Sequence, residues 1–218
     1  APPGTVLVVV PHPDDESFGC GAALAAAAHA GRRIALILLT DGEGSHPRSR
    51  DYPPGRLKGL RLEELHRALQ HLTARTDISI ERLALHDGRT SITDLNYVDL
   101  ERLERFARDC GVSVIWSTWQ GDPHCDHVTA SALAERLAAR LGVPSWSFAV
   151  WGRFGERAVE GLEPRQFEAG DHRDAKRLAV GSYRSQTTDL IADDPAGFVM
   201  PAALIDHFIE SPELFLER

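Results

Sequence analysis

The stretch VLVVVPHPDDE, residues 6–16, decides the fold of this chain. Its first five residues form a continuous apolar run, which is typical of a strand buried on both faces of a parallel sheet. In open α/β sheets, functional groups collect at the carboxyl ends of such strands. Here that position holds His12 and the adjacent carboxylates Asp14 and Asp15. These groups resist burial unless a cation or a substrate compensates their charge, so we expect a functional site there.

A second polar cluster follows another strand-like run much later in the chain. The run VSVIW, residues 112–116, leads through a polar loop to DPHCDH, residues 122–127. Together the two clusters supply enough histidine and aspartate side chains for one divalent ion. Structural zinc sites usually close with four protein ligands and favour Cys, whereas a His/His/carboxylate set leaves a position for water. The pattern therefore indicates a catalytic rather than a structural metal site.

Each of these residues also has a purely structural interpretation. His12 alone would pass as a loop histidine, and Asp14 and Asp15 as caps for the helix that follows. His124 and His127 alone would pass as solvated loop residues. The joint occurrence of all five after two strands is what favours the metal site.

Length, composition and charge narrow the class of protein. With 218 residues, 43% hydrophobic and 26% charged, the chain predicts one globular domain over residues 1–218. Its net charge of −8 argues against nucleic-acid or anionic-membrane binding. We expect no membrane span, since no apolar run approaches the roughly 20 residues required, and no signal peptide. Three cysteines without CxxC spacing favour a reducing cytoplasm. The sequence leaves a homo-oligomer open.

Strand-like and helix-like segments alternate along the first two thirds of the chain. This alternation predicts an α/β fold with a Rossmann-like parallel sheet, helices on both faces, and the metal site at the C-terminal strand ends. A dinucleotide site is disfavoured, because the glycines near residue 20 lack the third glycine and the carboxylates would repel a pyrophosphate. The sequence predicts strands at residues 6–10, 34–39, 83–85, 112–116 and 147–150. It predicts helices at residues 17–30, 62–72, 95–110, 126–141 and 171–183. A long mobile loop is predicted over residues 43–56, and an irregular stretch over residues 151–170.

The motifs resemble those of the LmbE-like, or PIG-L, zinc deacetylases. That family includes N-acetylglucosaminyl-phosphatidylinositol de-N-acetylase and deacetylases of the mycothiol and bacillithiol pathways. The resemblance extends over residues 5–187 and is carried by an ordered set of motifs: PHPDDE at 11–16, TDGE at 40–43, RLEE at 61–64, LHDG at 85–88, HCDH at 124–127, and a late pattern of Lys176, Ala179, Tyr183, Ser185 and Gln186.

The resemblance implies a metal site made by His12, Asp15 and His127. It favours Zn²⁺ as the cofactor, although a His/His/Asp set also suits Fe²⁺. By the same resemblance Asp14 would be the general base. His124 would act as general acid or as a cation beside the oxyanion, and Asp126 would orient a histidine and raise its pKa.

Two positions depart from the family pattern. Cys125 replaces the proline of the usual His-Pro-Asp-His motif, which spares the ligands but changes the rigidity of the loop. Asp122 stands where some members carry a tyrosine that polarises the amide, so that task would fall to the metal and His124.

Substrate contacts are predicted at three residues. Arg61 and Asp87 resemble positions that contact sugar hydroxyls, although Arg61 would also suit an ion pair with Glu64 on a helix surface. Trp119 and Trp151 follow strand ends and would stack on a sugar face or simply pack in the core. The arginine-rich loop 43–56 would be a lid over the substrate or a solvated loop.

The resemblance implies removal of an acetyl group from an N-acetylated aminosugar, an N-acetylglucosamine derivative, with that small molecule as the partner. One alternative is an amidase of another N-acyl amine on the same scaffold. Another is a non-catalytic metal-binding or sugar-binding module. The presence of both Asp14 and His124 argues against the last, because binding alone needs neither.

Overall fold

A computed structural model describes residues 4–154 and 163–217. Within these residues the central feature is a seven-stranded sheet in the order β3-β2-β1-β4-β5-β7-β6. None of the described helices is both long and apolar enough to cross a membrane. The strands are β1 (Thr5–Val10), β2 (Ile34–Thr40), β3 (Ser79–Leu85), β4 (Val112–Thr118), β5 (Ser145–Phe148), β6 (Arg165–Phe167) and β7 (Glu213–Glu217). The helices are α1 (Asp15–His29), α2 (Pro54–Thr73), α3 (Tyr97–Asp109), α4 (Cys125–Leu141), α5 (Arg173–Ser182), α6 (Arg184–Thr187) and α7 (Ala202–Glu210).

The predicted Rossmann-like sheet is confirmed for the first five strands. Strand β1 lies between β2 and β4 and pairs with both in parallel, and β3 and β5 extend the parallel sheet on either side. Beyond β5 the prediction was incomplete. Strand β7 pairs with β5 in the antiparallel direction, and β6 pairs with β7. The fold is therefore a mixed α/β sheet with an antiparallel edge.

The continuous apolar run of β1 is explained by helices on both faces of the sheet. Val6, Val8 and Val10 belong to the core under α1, α2 and α5, whereas Leu7 and Val9 belong to the core under α3 and α4. All five side chains are fully buried. A strand with one solvent-exposed face would alternate polar and apolar residues instead.

The segment predicted to be a mobile loop is anchored. Helix α2 begins at Pro54, within the predicted loop. Upstream of it, the Arg48 N–H donates to Asp194 Oδ2 at 2.8 Å and the Ser49 hydroxyl donates to Asp193 Oδ1 at 2.7 Å. These contacts hold the segment against residues 193–194. Part of the irregular stretch predicted at 151–170 lies outside the described residues.

Helix α1 is interrupted at Cys20, and a carboxylate from strand β7 accepts hydrogen bonds from the N–H groups that follow the interruption. Cys20 has a non-helical backbone with φ −143°. The carboxylate of Glu213, the first residue of β7, accepts from the N–H of Ala22 at 2.7 Å and from that of the next residue. The buried Lys176 ammonium donates to Glu213 at 2.7 Å and to the Phe18 carbonyl at 2.9 Å. Strand β7 and α5 are thereby fixed to α1.

Candidate active site

The two polar clusters meet because β1 and β4 are parallel neighbours. His12 follows β1, and His124 and His127 lie at the beginning of α4, which follows β4. The His12 ring lies 5.0 Å from the His124 ring and 5.7 Å from the His127 ring, measured between centroids. The sheet edge therefore carries all three histidines in one group.

His12, Asp15 and His127 form a cluster suited to a metal ion. Their ligand atoms all lie within 4.8 Å of one another. One oxygen of Asp15 is 3.0 Å from His12 Nδ1 and the other is 3.3 Å from His127 Nε2. This His/His/carboxylate set is suited to Zn²⁺ or Fe²⁺ and leaves coordination positions for water.

The orientation of His127 supports this fit. Its Nδ1 lies 2.8 Å from Asp122 Oδ2, whereas its Nε2 is buried and makes no hydrogen bond. A carboxylate at one ring nitrogen sets the tautomer that leaves the other nitrogen free as a ligand. Sequence reasoning had placed Asp122 only where some relatives carry tyrosine, and missed this contact. The only available signal was an aspartate close to a candidate ligand.

Burial and charge shift the pKa values of these ligands. Burial opposes the ionisation of Asp15, but the charge of His127 and the close approach of both histidine rings outweigh it and hold the pKa of Asp15 below its usual range. Burial also opposes protonation of His127, yet Asp15 and Asp122 raise its pKa to about 9. The ligand cluster therefore holds protons that a metal ion would displace on binding.

Asp126 orients His12 rather than His124. Its carboxylate accepts from the N–H groups of Gly88 and Thr90 at 2.7 and 2.8 Å, and lies 3.0 Å from His12 Nε2 but 3.9 Å from His124 Nδ1. The resemblance implied that Asp126 orients a histidine, and the structure places its carboxylate against His12. Burial, together with positive charge on the neighbouring histidines, lowers the pKa of His124, and Asp126 offsets only part of this.

Asp14 sits next to the cluster in a strained conformation. Its φ of 133° lies in a region that side-chain-bearing residues rarely adopt. Arg61 Nη2 donates to Asp14 Oδ2 at 3.0 Å and to the Pro13 carbonyl at 2.6 Å. Burial, with a smaller contribution from Asp15, raises the pKa of Asp14 to about 8 against the opposing charge of Arg61. Such a carboxylate is suited to take up a proton near neutral pH.

Glu16 fixes the backbone of Asp14 from beneath the site. Its Oε2 accepts from the Asp14 N–H at 3.2 Å. Its Oε1 accepts from Ser17 Oγ at 2.6 Å and from the Tyr183 hydroxyl at 2.5 Å. Glu16, Ser17 and Tyr183 are all fully buried. These contacts stabilise the strained φ, and sequence reasoning had not assigned them.

The site opens into a cavity of about 610 Å³. Its lining includes Arg61 and Asp87, both predicted to contact substrate. Asp87 Oδ1 lies 3.1 Å from His12 Nε2, and its other oxygen accepts from the Gly44 N–H at 2.7 Å. Arg61 is buried and does not pair with Glu64, which accepts hydrogen bonds from Ser185 instead.

The two tryptophans have different environments. Trp151 lines the cavity, but Trp119 is absent from the described lining residues. The Trp119 ring packs over Gly121 and Gly152, whose missing side chains make room for it. The structure therefore supports the packing interpretation of Trp119, and Trp151 takes the place by the cavity. Cys125 is exposed at the first turn of α4, with its sulfur 3.3 Å from Asp126 Oδ1.

The model of one protein family, PIG-L, described as GlcNAc-PI de-N-acetylase, matches residues 7–138. The chain belongs to the PIG-L family. The match includes both histidine clusters and every predicted site residue. No curated protein matches the chain.

Solved structures share the PIG-L fold at low sequence identity. N,N'-diacetylchitobiose deacetylase from Pyrococcus horikoshii has a TM-score of 0.70 at 18% identity, over 98% of this chain and 83% of that one. The A40926 pseudoaglycone deacetylase Dbv21 has a TM-score of 0.70 at 19% identity, over 97% and 95%. GalB, the 4-carboxy-2-hydroxymuconate hydratase from Pseudomonas putida KT2440, has a TM-score of 0.71 at 19% identity, over 94% and 82%. Because this fold carries both deacetylases and a hydratase, the reaction must be argued from the site.

Proposed function

We propose that this protein is a metal-dependent N-deacetylase that hydrolyses the acetamide of an N-acetylated aminosugar. The observation that carries the proposal is the buried Nε2 of His127, which makes no hydrogen bond and lies 3.3 Å from Asp15 Oδ1, beside the strained residue Asp14. Membership of a family described as a de-N-acetylase supports it. The similarity to an N,N'-diacetylchitobiose deacetylase and to the A40926 pseudoaglycone deacetylase also supports a deacetylase, and the first of these favours an acetylated aminosugar.

His12, Asp15 and His127 would hold the metal, with Zn²⁺ as the proposed ion and Fe²⁺ as the other suitable one. Such an ion supplies Lewis acidity, which makes water a usable nucleophile near neutral pH and polarises a carbonyl. The protein keeps these ligands in position through two further carboxylates. Asp122 holds His127 and Asp126 holds His12.

Asp14 would accept the proton of the attacking water. Its raised pKa makes it basic enough to take that proton, and Arg61 keeps its carboxylate directed into the site. The acetamide carbon then gains the hydroxyl oxygen, and the C–N bond breaks as the amine takes up a proton. Acetate and a free aminosugar are the products.

His124 would serve the leaving amine and the developing oxyanion. It lines the cavity, and its side chain is 37% exposed, so it is the histidine that a substrate reaches most easily. Its lowered pKa makes its protonated form a stronger acid, which suits proton delivery to the amine. We propose Asp87 and Arg61 as the polar groups nearest the sugar, and a cytoplasmic location.

The decisive experiment measures acetate released from the methyl glycoside of N-acetylglucosamine. The purified protein is assayed as prepared, after chelation, and after addition of Zn²⁺ or Fe²⁺. We expect activity that disappears with the chelator and returns with the ion. Activity that the chelator leaves unchanged would overturn the metal assignment. Hydrolysis of other N-acyl amines but of no aminosugar would shift the function to the alternative amidase, and sugar binding without acetate release would indicate a binding module.

A further inference from the structure

We propose that the cavity selects N-acetylaminosugars joined to an uncharged, apolar aglycone, and that it disfavours anionic conjugates. This inference rests on the proposed deacetylase function. It concerns the part of the cavity away from the metal ligands, which we call the apolar wall and define as Phe18, Val150, Trp151, Phe198, Val199 and Met200.

Two side chains of the apolar wall are exposed, although a folded protein usually buries residues of their kind. Phe198 and Val199 are 37% and 39% exposed, and both line the cavity. The Phe198 ring lies 5.9 Å from the Trp151 ring in an edge-to-face arrangement. Apolar side chains that line a concave site and remain exposed are typical of a ligand-binding surface.

The segment that carries Phe198 is fixed before any ligand binds. The Phe198 N–H donates to the Ser45 carbonyl at 2.7 Å, and the Met200 N–H donates to the Gln186 carbonyl at 2.7 Å. A surface that is already ordered costs little conformational entropy on binding. These hydrogen bonds join the segment to the loop after β2 and to α6, so the apolar wall is a built part of the cavity.

The size of the cavity also exceeds the needs of a single sugar. At about 610 Å³ it falls in the middle of the range of roughly 300–1,000 Å³ that holds drug-sized ligands. A sugar placed at the metal ligands leaves the apolar wall without a partner. A second, apolar group on the same substrate would cover it.

The charged side chains that line the cavity disfavour an anionic group on the substrate. Among the described residues that line the cavity, Arg61 is the only lysine or arginine. Its Nη1 donates to the Gly42 carbonyl at 2.8 Å, its Nη2 donates to Asp14 and to the Pro13 carbonyl, and its Nε is buried. Its Nε–H has no partner but is buried, and the whole residue is only 3% exposed, so the guanidinium offers little to a phosphate or carboxylate of the substrate. Asp87, a lining carboxylate that is not a proposed metal ligand, would repel such a group.

The test compares three derivatives of N-acetylglucosamine: the methyl β-glycoside, the phenyl β-glycoside and the 1-phosphate. We expect the phenyl glycoside to exceed the methyl glycoside in kcat/KM by about tenfold, chiefly through a lower KM, because burial of the ring removes apolar surface from water. The 1-phosphate should be the poorest substrate. Equal rates for the two glycosides, or a preference for the 1-phosphate, would overturn the inference.

A pair of variants assigns the preference to the apolar wall. Phe198→Ser should lower the phenyl-to-methyl ratio toward one. The control, Val98→Ser, removes an equally apolar side chain that is 69% exposed on α3 outside the cavity, and should leave the ratio unchanged. An unchanged ratio in Phe198→Ser would contradict the assignment.

The outcomes keep the two proposals separate. Hydrolysis of the methyl glycoside without a phenyl preference would leave the deacetylase standing and remove the inference. If none of the three compounds is hydrolysed, the proposed function fails. Calorimetric binding of the two glycosides to the Zn²⁺-loaded protein then decides the inference, which requires tighter binding of the phenyl compound.

Discussion

The two segments that form the site, residues 11–16 and 122–127, are built in opposite ways. In the first, the side chains of residues 13–16 are buried, and contacts from α2 and from Tyr183, far along the chain, hold the backbone of Asp14. In the second, His124 is partly exposed and Cys125 is exposed, while His127 is fully buried. The second segment begins α4, and the N–H groups of Gly88 and Thr90 hold its Asp126.

The two segments therefore have different tasks in the site. The first segment keeps a basic carboxylate at a fixed place despite an unfavourable φ, which requires support from several elements. The second holds one ligand rigidly and leaves one histidine accessible to a substrate. Substitutions at Asp14 or its supports should therefore change turnover, and substitutions around the ligand His127 should change metal affinity.

The largest effect is expected from Asp14→Asn, which removes the proposed base and keeps the shape of the side chain. Asparagine tolerates unusual φ values better than most residues, so the backbone should persist. We expect kcat to fall by about 10²–10⁴-fold with metal content unchanged, because general-base catalysis contributes that much. Steady-state kinetics and metal analysis measure this, with the exposed Asp171→Asn as control. A fully active variant would remove Asp14 from the mechanism.

The next effect tests the second segment through Asp122→Asn. The amide NH₂ would face the Nδ1–H of His127, and the ring would shift its proton to Nε2, the nitrogen that a metal requires. We expect the Kd for Zn²⁺ to rise about 10–100-fold. Competition with a chromogenic chelator measures it, and the exposed Asp77→Asn is the control. Unchanged affinity would show that Asp122 does not set the tautomer.

A smaller effect on turnover is expected from Tyr183→Phe, which removes only the hydroxyl that holds Glu16. Looser support of Asp14 should lower kcat by about tenfold and leave both KM and the Zn²⁺ Kd unchanged. The control is Ile115→Val, a buried change in β4 that should cost about 0.5–1.5 kcal/mol of stability without changing kcat. If the two variants lose stability alike and neither loses turnover, Tyr183 is only structural.

The smallest effect lies outside both segments, at His46 in the anchored loop. Burial lowers the pKa of His46, and Arg61 adds to this while Asp193 and Asp194 oppose it. The unfolded chain therefore takes up this proton first, and stability is lost as pH falls through about 6.5. We expect His46→Gln to lose less free energy of unfolding than the parent between pH 8 and pH 5.5. Urea denaturation measures this, with the exposed His71→Gln as control. An identical slope in both variants would contradict it.

The parallel sheet could be predicted from the sequence because the pattern that identifies each of its strands is local. A continuous apolar strand followed by polar residues identifies β1, and the same pattern identifies β2. Strand β7 could not be predicted in this way, since a five-residue strand that begins with the buried Glu213 has no such pattern. Its pairing with β5 is set by tertiary contacts.

Prediction of the site was limited in the same way, because local patterns identified candidate residues but not the contacts between them. Residue types and their order indicated one His/Asp metal site, and the family resemblance assigned it to His12, Asp15 and His127. The parallel neighbours β1 and β4 bring these three residues together. Which carboxylate contacts which histidine depends on loop geometry of a few ångströms. That is why the sequence named no particular histidine as the partner of Asp126, which lies against His12.

The interruption of α1 has a consequence for the order in which the protein is completed. The N–H groups after Cys20 and the ammonium of Lys176 all depend on the carboxylate of Glu213. A nascent chain that has not reached residue 213 leaves an ammonium and two amides without their acceptor, which is costly in a core. The ribosome makes the PHPDDE segment long before Glu213, yet the helix that begins in it gains these hydrogen bonds only once that carboxylate is present.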